Sequence, residues 1–248
     1  MHRFLAIPYS PWSEKARWAL DLRGVPRREV AYSPFLGEAA LRVRLRRFSG
    51  KITVPVLFTE DGRALGDSFE IARFAEEVGR GATLFPAGRE AEIARWNARS
   101  EEILRAGRAL SVAKAMDEPA AREEALPRGV PGALRPLMGR AGVALLRAKY
   151  GLGLDREAEV KIIVEGLREW RAALGGRRYL GDALSYAEVT MAVSLQLAAP
   201  VADAYIRLGR ATRRVCTHEP IVKEYADLVA WRDALYAEHR RSVGPPAA

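Results

Sequence analysis

Three short segments in the first seventy residues put hydroxyl and carboxylate groups where the chain turns: Ser10-Pro11-Trp12-Ser13, Val54-Pro55 and Asp67-Ser68. Ser10-Pro11 is an ordinary helix opening, because serine is a preferred N-cap and proline a preferred first helical residue. A hydroxyl there has a second use. The helix dipole and the unpaired N–H groups of the first turn favour an anion, so a thiolate beside Ser10 would be stabilised. Asp67-Ser68 sets a carboxylate and a hydroxyl at another helix start, where capping is the commonest role of such a pair. Val54-Pro55 joins a loop to a strand, and a cis bond there would turn the Val54 N–H and C=O outward for an extended peptide to pair with. Other chemistry is poorly provided for. Cys216 is the single cysteine, which excludes an internal disulfide and a Cys-rich zinc site, and His2, His218 and His239 are scattered. No metal site is expected.

The elements that must position these segments follow from changes of period. Arg3 to Pro8 reads as a short apolar strand, and Ser10-Pro11 opens a helix carrying Ala16, Ala19, Leu20 and Arg23 to a stop at Gly24. Arg28 to Tyr32 returns to an extended pattern. Val54 to Phe58 is a strand, Glu60 to Arg63 a hairpin turn, Ala64 to Gly66 the returning strand, and Asp67-Ser68 starts a helix running to Val78. The order β-α-β followed by β-β-α is that of a thioredoxin-like sheet, in which the loop at Val54-Pro55 faces the start of the first helix. The cis form of Val54-Pro55 is therefore expected.

Residues 1–80 are read as this α/β domain, 81–88 as a linker rich in glycine and proline, and 89–248 as an all-helical domain. In the helical part, Ile93, Trp96, Ser100, Ile103, Gly107 and Leu110 recur at helical spacing, as do Val160, Ile163, Val164, Leu167, Trp170 and Leu174. Ser185-Tyr186-Ala187-Glu188 is a capping box that starts a buried helix expected to reach Pro200. Glu118 to Gly153 holds four of the fourteen prolines, and no elements are assigned within it.

Charge and hydropathy bound the partners. The formal net charge is +9, which raises nucleic acid as a partner. However, all but six of the 40 basic residues are arginines spread along the chain with acids between them. The one dense run, Arg42 to Arg47, lacks the interleaved aromatic residues of a single-strand platform, so no nucleic-acid partner is expected. No apolar run approaches the ~18 residues that span a bilayer, and the apolar stretch at Phe4–Ile7 is shorter than a secretory core. A cytoplasmic protein with no membrane partner is the expectation.

The residues from Ser10 to Leu20, then Val54-Pro55-Val56-Leu57, then Asp67-Ser68-Phe69-Glu70-Ile71, resemble the N-terminal domain of cytosolic glutathione transferases. Tyr179-Leu180-Gly181-Asp182 followed by Ser185 and Glu188 is similar to the buried, capped helix of that family's C-terminal domain. The resemblance implies a thioredoxin-like α/β domain followed by an all-α domain. It also implies a homodimer that binds glutathione as co-substrate and conjugates its thiolate to small hydrophobic electrophiles in detoxification. A non-catalytic binding or scaffold protein of the same fold is the alternative.

By position, Ser10 matches the catalytic hydroxyl of the serine-type classes, lying seven residues before Arg17. Tyr9, at the end of the first strand, is the rival hydroxyl of the tyrosine-type classes. Val54, with Pro55, matches the segment that pairs with the cysteinyl backbone of glutathione. Asp67 and Ser68 match the pair that holds its γ-glutamyl group, with aspartate where glutamate or glutamine is commoner. Lys51 is assigned the glycyl carboxylate, although related sequences often place a lysine immediately before the valine. Serine in place of cysteine at position 10 argues against thiol exchange, and Cys216 is expected to be inert.

Overall fold

The computed structural model describes residues 1–127, 129–153 and 155–242; the end of the expected helical domain, 243–248, lies outside the described residues. The chain forms two compact units, Met1–Asn97 with Gly181–Val193, and Ala98–Leu180 with Ser194–Ala248.

The first unit is built on four strands, β1 (His2–Ala6), β2 (Arg27–Ala31), β3 (Val56–Phe58) and β4 (Ala64–Leu65), in the order β2-β1-β3-β4. β1 and β2 are parallel, with Leu5 opposite Val30, whereas β3 runs antiparallel to both β1 and β4. Three helices accompany the sheet: α1 (Pro11–Leu22), α2 (Pro34–Leu45) and α3 (Ser68–Val78), with α1 packed on α3. This is the expected thioredoxin-like arrangement, with strand ends displaced by one or two residues from those expected and one further helix, α2.

Alternation along β1 divides the core in two. Leu5 joins Leu41, Ile52 and Val56 on one face, while Phe4 and Ala6 are fully buried on the other, where the Arg17 guanidinium lies 6.0 Å from the Phe4 ring centre.

α1 ends as its sequence requires. Gly24 takes a φ of +64°, and the Val25 N–H reaches back to the Leu20 carbonyl at 2.9 Å, the six-residue closure of a helix terminus. The segment after α3 then runs close against this end. A Cβ on Gly81 would fall 1.9 Å from the Leu22 carbonyl oxygen, so only glycine fits there. The buried Arg23 guanidinium ties the same strand of backbone down, donating to the carbonyls of Glu76, Gly79 and Gly81.

The second unit is helical. α4 (Glu90–Asp117) begins in the first unit and continues into the second, and Ile93, Trp96, Ser100, Ile103 and Leu110 are buried along it as their spacing predicts. α5 (Pro119–Glu124), a short 3-10 turn at Gly132–Leu134 and α6 (Arg135–Tyr150) occupy most of the stretch from Glu118 to Gly153. α7 (Arg156–Leu174) buries Ile163, Leu167, Trp170 and Leu174, leaving Val160 and Val164 at its edge. α8 (Tyr186–Ser194), which belongs to the first unit as far as Val193, gives way to a 3-10 turn at Leu195–Leu197, so the regular helix stops short of Pro200. α9 (Arg210–Cys216), α10 (Glu219–Glu224) and α11 (Ala226–His239) complete the chain. Among the described residues no helix is long and apolar enough to cross a membrane.

Candidate functional site

Strand direction brings the three sequence segments to one end of the sheet. β1 ends at Ala6 and leads to Ser10; β3 is antiparallel to β1, so Val54-Pro55, just before Val56, lies at that same end. β4 is antiparallel to β3 and therefore finishes there too, with Asp67-Ser68 two residues beyond Leu65. The N-termini of α1 and α3 and the start of β3 thus share one edge, and Val54-Pro55 is cis as expected.

Ser10 sits at the N-cap of α1 in extended geometry, φ −77° and ψ 128°, with Pro11 following, but its hydroxyl makes no capping hydrogen bond. The turn is held by other groups. The Ser10 N–H donates to the Ile7 carbonyl at 3.1 Å, and the Ile7 N–H donates to the Oγ of Ser13, a fully buried side chain, also at 3.1 Å. Ser13 therefore supports the turn and leaves the Ser10 hydroxyl disengaged from it. Tyr9, the rival, is exposed on the same turn.

One turn into α1, the buried Glu14 carboxylate accepts from Arg17 at 2.6 Å, and Arg17 also binds Glu29 at 2.6 Å. Burial opposes the Arg17 charge, but the bonds and charges of Glu29 and Glu14 outweigh it and raise its pKa above that of an ordinary guanidinium. Arg17 keeps its charge beside Glu14, which offsets the negative charge that this acid would otherwise present near the start of α1.

At α3 the two members of the pair divide their roles. Asp67 is the cap: its Oδ1 accepts from the Phe69 N–H at 2.8 Å and the Glu70 N–H at 3.2 Å. Its exposed Oδ2 has no partner among the described residues. Glu70 reaches back to the Gly66 N–H at 3.2 Å. Ser68 is 1% exposed, and its Oγ finds no hydrogen-bond partner among the described residues. An unsatisfied buried hydroxyl is uncommon, since burial without a partner costs about 1–3 kcal/mol.

One contact to this edge comes from far along the chain and was not read from the sequence. The Tyr186 hydroxyl donates to the Ser68 carbonyl at 3.2 Å, and the Tyr186 ring stacks on Phe85 at 5.4 Å and lies 5.7 Å from Phe69. The capping box at Ser185 is what places Tyr186. There the Ser185 N–H and hydroxyl both donate to Glu188, at 2.7 and 2.6 Å. The sequence signal for Tyr186 was thus the box itself, read only as a helix start.

The remaining assignments are less closely placed. Val54 is half-buried and Pro55 buried ahead of β3, while Lys51 is exposed with no hydrogen bond or ion pair to a described residue. Cys216 is buried, and burial raises its thiol pKa, the environment of an unreactive cysteine. Among the described residues no group of three or more His, Cys, Asp and Glu side chains is placed to hold a metal ion. The surface cavity of about 410 Å³ lined by His2, Arg23, Val25, Pro26 and Val78 lies at the other end of α1 from Ser10.

Residues 9–78 match the model of the glutathione S-transferase N-terminal domain. The thioredoxin-like sheet with its helical continuation is accordingly a glutathione transferase-like fold, and the chain resembles that family. The sequence matches no curated protein. Among solved structures, the glutathione transferase GSTFuA2 from Phanerochaete chrysosporium superposes with a TM-score of 0.66 at 18% identity, covering 98% of this chain and 99% of its own. The glutathione-bound glutathione S-transferase from Methylobacillus flagellatus KT gives 0.57 at 18% identity, covering 98% and 100%. The enzyme from Methylobacterium radiotolerans JCM 2831, in complex with glutathione sulfonate, gives 0.58 at 17% identity, covering 100% and 98%.

Proposed function

We propose that this chain binds glutathione along the edge formed by Ser10, Val54-Pro55 and Asp67-Ser68 and adds its thiolate to small hydrophobic electrophiles. The observation that carries the reading is the pair of hydroxyls at the starts of α1 and α3. Ser10 caps no N–H group and Ser68 is buried without a partner, both at the same end of the sheet. The fold gives the buried Ser68 hydroxyl no partner, and it leaves the half-buried Ser10 hydroxyl uncommitted at the start of α1.

In this reading the Val54 backbone pairs with the cysteinyl backbone, Ser68 donates to the γ-glutamyl carboxylate, and the free Oδ2 of Asp67 receives the amino group. Lys51 offers a cation to the glycyl carboxylate. Tyr186 holds the Ser68 backbone in place without touching the ligand.

The thiol needs help to react. A free thiol of pKa ~8.5 is only a few per cent ionised at pH 7, and lowering it by about two units takes ~2.7 kcal/mol of preferential thiolate stabilisation. A hydrogen bond from the Ser10 hydroxyl, about 1.5–3 kcal/mol to a charged acceptor, together with up to ~1 kcal/mol from the α1 N-terminus, supplies it. Attack on the electrophile then forms the carbon–sulfur bond, and the leaving group departs with the bonding electron pair. Calorimetric titration with glutathione, followed by a thiol-conjugation assay with an aryl halide, tests the reading. Binding with turnover supports it; no binding of glutathione refutes it, and binding without turnover refutes the catalytic part.

A further inference from the structure

The segment between Glu124 and Asp155 contains five basic residues, Arg128, Arg135, Arg140, Arg147 and Lys149, and no acid. The stretch between Glu38 and Glu60 has the same charge pattern, so what sets this one apart is the apolar face its main helix leaves uncovered. Its main element is α6, and one face of α6 is firmly seated. Gly139 lies against Arg122 of α5, while Val143 and Tyr150 pack on the cluster of Ala109, Val112 and Leu152. Arg135 donates to the Glu123 carbonyl at 2.6 Å.

The opposite face is apolar and uncovered. Leu134, Leu137, Met138 and Leu145 are all exposed, Leu137 at 68% and Leu145 at 61%, with exposed alanines between them. At 3.6 residues per turn these positions form one unbroken stripe about 120° wide. No charged residue falls within it. Arg140 and Arg147 border one side and Lys149 the other, the Arg135 guanidinium being tied to the carbonyls of Glu123, Pro127 and Val130.

We propose that this face of α6 docks on an anionic lipid surface, the leucines and methionine entering the headgroup boundary and the bordering cations meeting lipid phosphates. An apolar stripe flanked on both sides by Arg and Lys is the pattern of a helix lying in the membrane interface, with burial and charge attraction acting together. Charge selects this occupant over the others. Pairing with a second copy through the same face would bring two acid-free basic borders together, which is repulsive, and a bare leucine stripe offers phosphates of nucleic acid no donor. Docking of this kind needs no spanning segment and is independent of the Ser10 edge.

Co-sedimentation with vesicles tests it, using phosphatidylcholine alone and an equal mixture of phosphatidylcholine and phosphatidylglycerol. The full chain is expected to sediment with the mixed vesicles and to be released by high salt, with far less bound to phosphatidylcholine. L137Q/L145Q, at exposed positions, should lower the partition coefficient at least tenfold with an unchanged melting temperature. R140Q alone should lower it about fivefold, the effect of one cation near an anionic surface. No binding to the mixed vesicles overturns the proposal, as does binding that both variants leave intact. A wild-type chain larger in sedimentation velocity than L137Q/L145Q, without vesicle binding, overturns it in favour of self-association or a protein partner.

Discussion

Removing the Ser68 hydroxyl should weaken ligand binding while leaving the fold as stable or more so. Ser68 is the first residue of α3, a position where a serine is easily taken for the cap. Here Asp67 accepts the first-turn N–H groups, and the Ser68 Oγ, buried at 1% exposure, accepts from and donates to nothing described. Ser68→Ala therefore deletes an unsatisfied buried hydroxyl, which itself costs about 1–3 kcal/mol, and introduces a better helix former. A gain of about 0.5–2 kcal/mol is expected, or a rise of roughly 1–8 °C at ~2–4 °C per kcal/mol for a chain of this size. Glutathione affinity should fall by about 1–3 kcal/mol, some 5- to 150-fold, as the γ-glutamyl carboxylate loses a donor. Asp67→Ala is the counterpart, losing about 0.5–2 kcal/mol of stability with the cap. Calorimetric titration beside thermal melting separates the two. A Ser68→Ala protein that melts lower and binds glutathione as before would show the hydroxyl to be structural and would refute the reasoning.

Three further outcomes are expected. Tyr186→Phe removes the bond to the Ser68 carbonyl and should cost about 0.5–1.5 kcal/mol in glutathione affinity, read by titration, with the aromatic packing kept. Gly81→Ala forces a Cβ into the Leu22 carbonyl and should destabilise the chain by at least ~1–3 kcal/mol in denaturant unfolding. His218 has its pKa pushed down to about 4 by burial and the neighbouring Lys114. Its folded pKa lies below the unfolded value, so the unfolded chain binds more protons between the two. His218's contribution to stability is complete above about pH 6.5 and declines toward pH 4, no faster than ~1.4 kcal/mol per pH unit. His218→Gln should flatten that part of the stability profile.

Much of the α/β unit was legible because its signals are local. Ser10-Pro11 and Gly24 bracket α1, and Asp67-Ser68 marks the start of α3, each within a few residues of the backbone it shapes. α2 was not. Its basic residues Arg42 and Arg44 alternate with Val43 and Leu45 and read as a charge run, while the residues that seat it, Leu41 and Leu45, pack against Ile52 and Val56 beyond the helix. The division of labour between Asp67 and Ser68 was equally hidden, since both are good caps and only the folded geometry shows which oxygen accepts. Tyr186 lies 118 residues from Ser68, a separation no motif spans. In α6 the apolar positions do have a helical period, but they face outward, and a reading that seeks a buried stripe passes over them. The expectation of no membrane partner rested on the length needed to span a bilayer, which does not bear on a helix lying at its surface.

The proposed chemistry turns on the Ser10 hydroxyl stabilising the thiolate of bound glutathione. Thiolate ultraviolet absorbance of the bound tripeptide, followed against pH in the wild type, Ser10→Ala and Tyr9→Phe, tests it directly. Ser10→Ala is expected to raise the bound thiol's pKa by about 1–2 units, the equivalent of one charge-assisted hydrogen bond, with glutathione affinity changed far less and Tyr9→Phe close to wild type. Loss of the thiolate in Tyr9→Phe with retention in Ser10→Ala would contradict it and move the chemistry to the tyrosine.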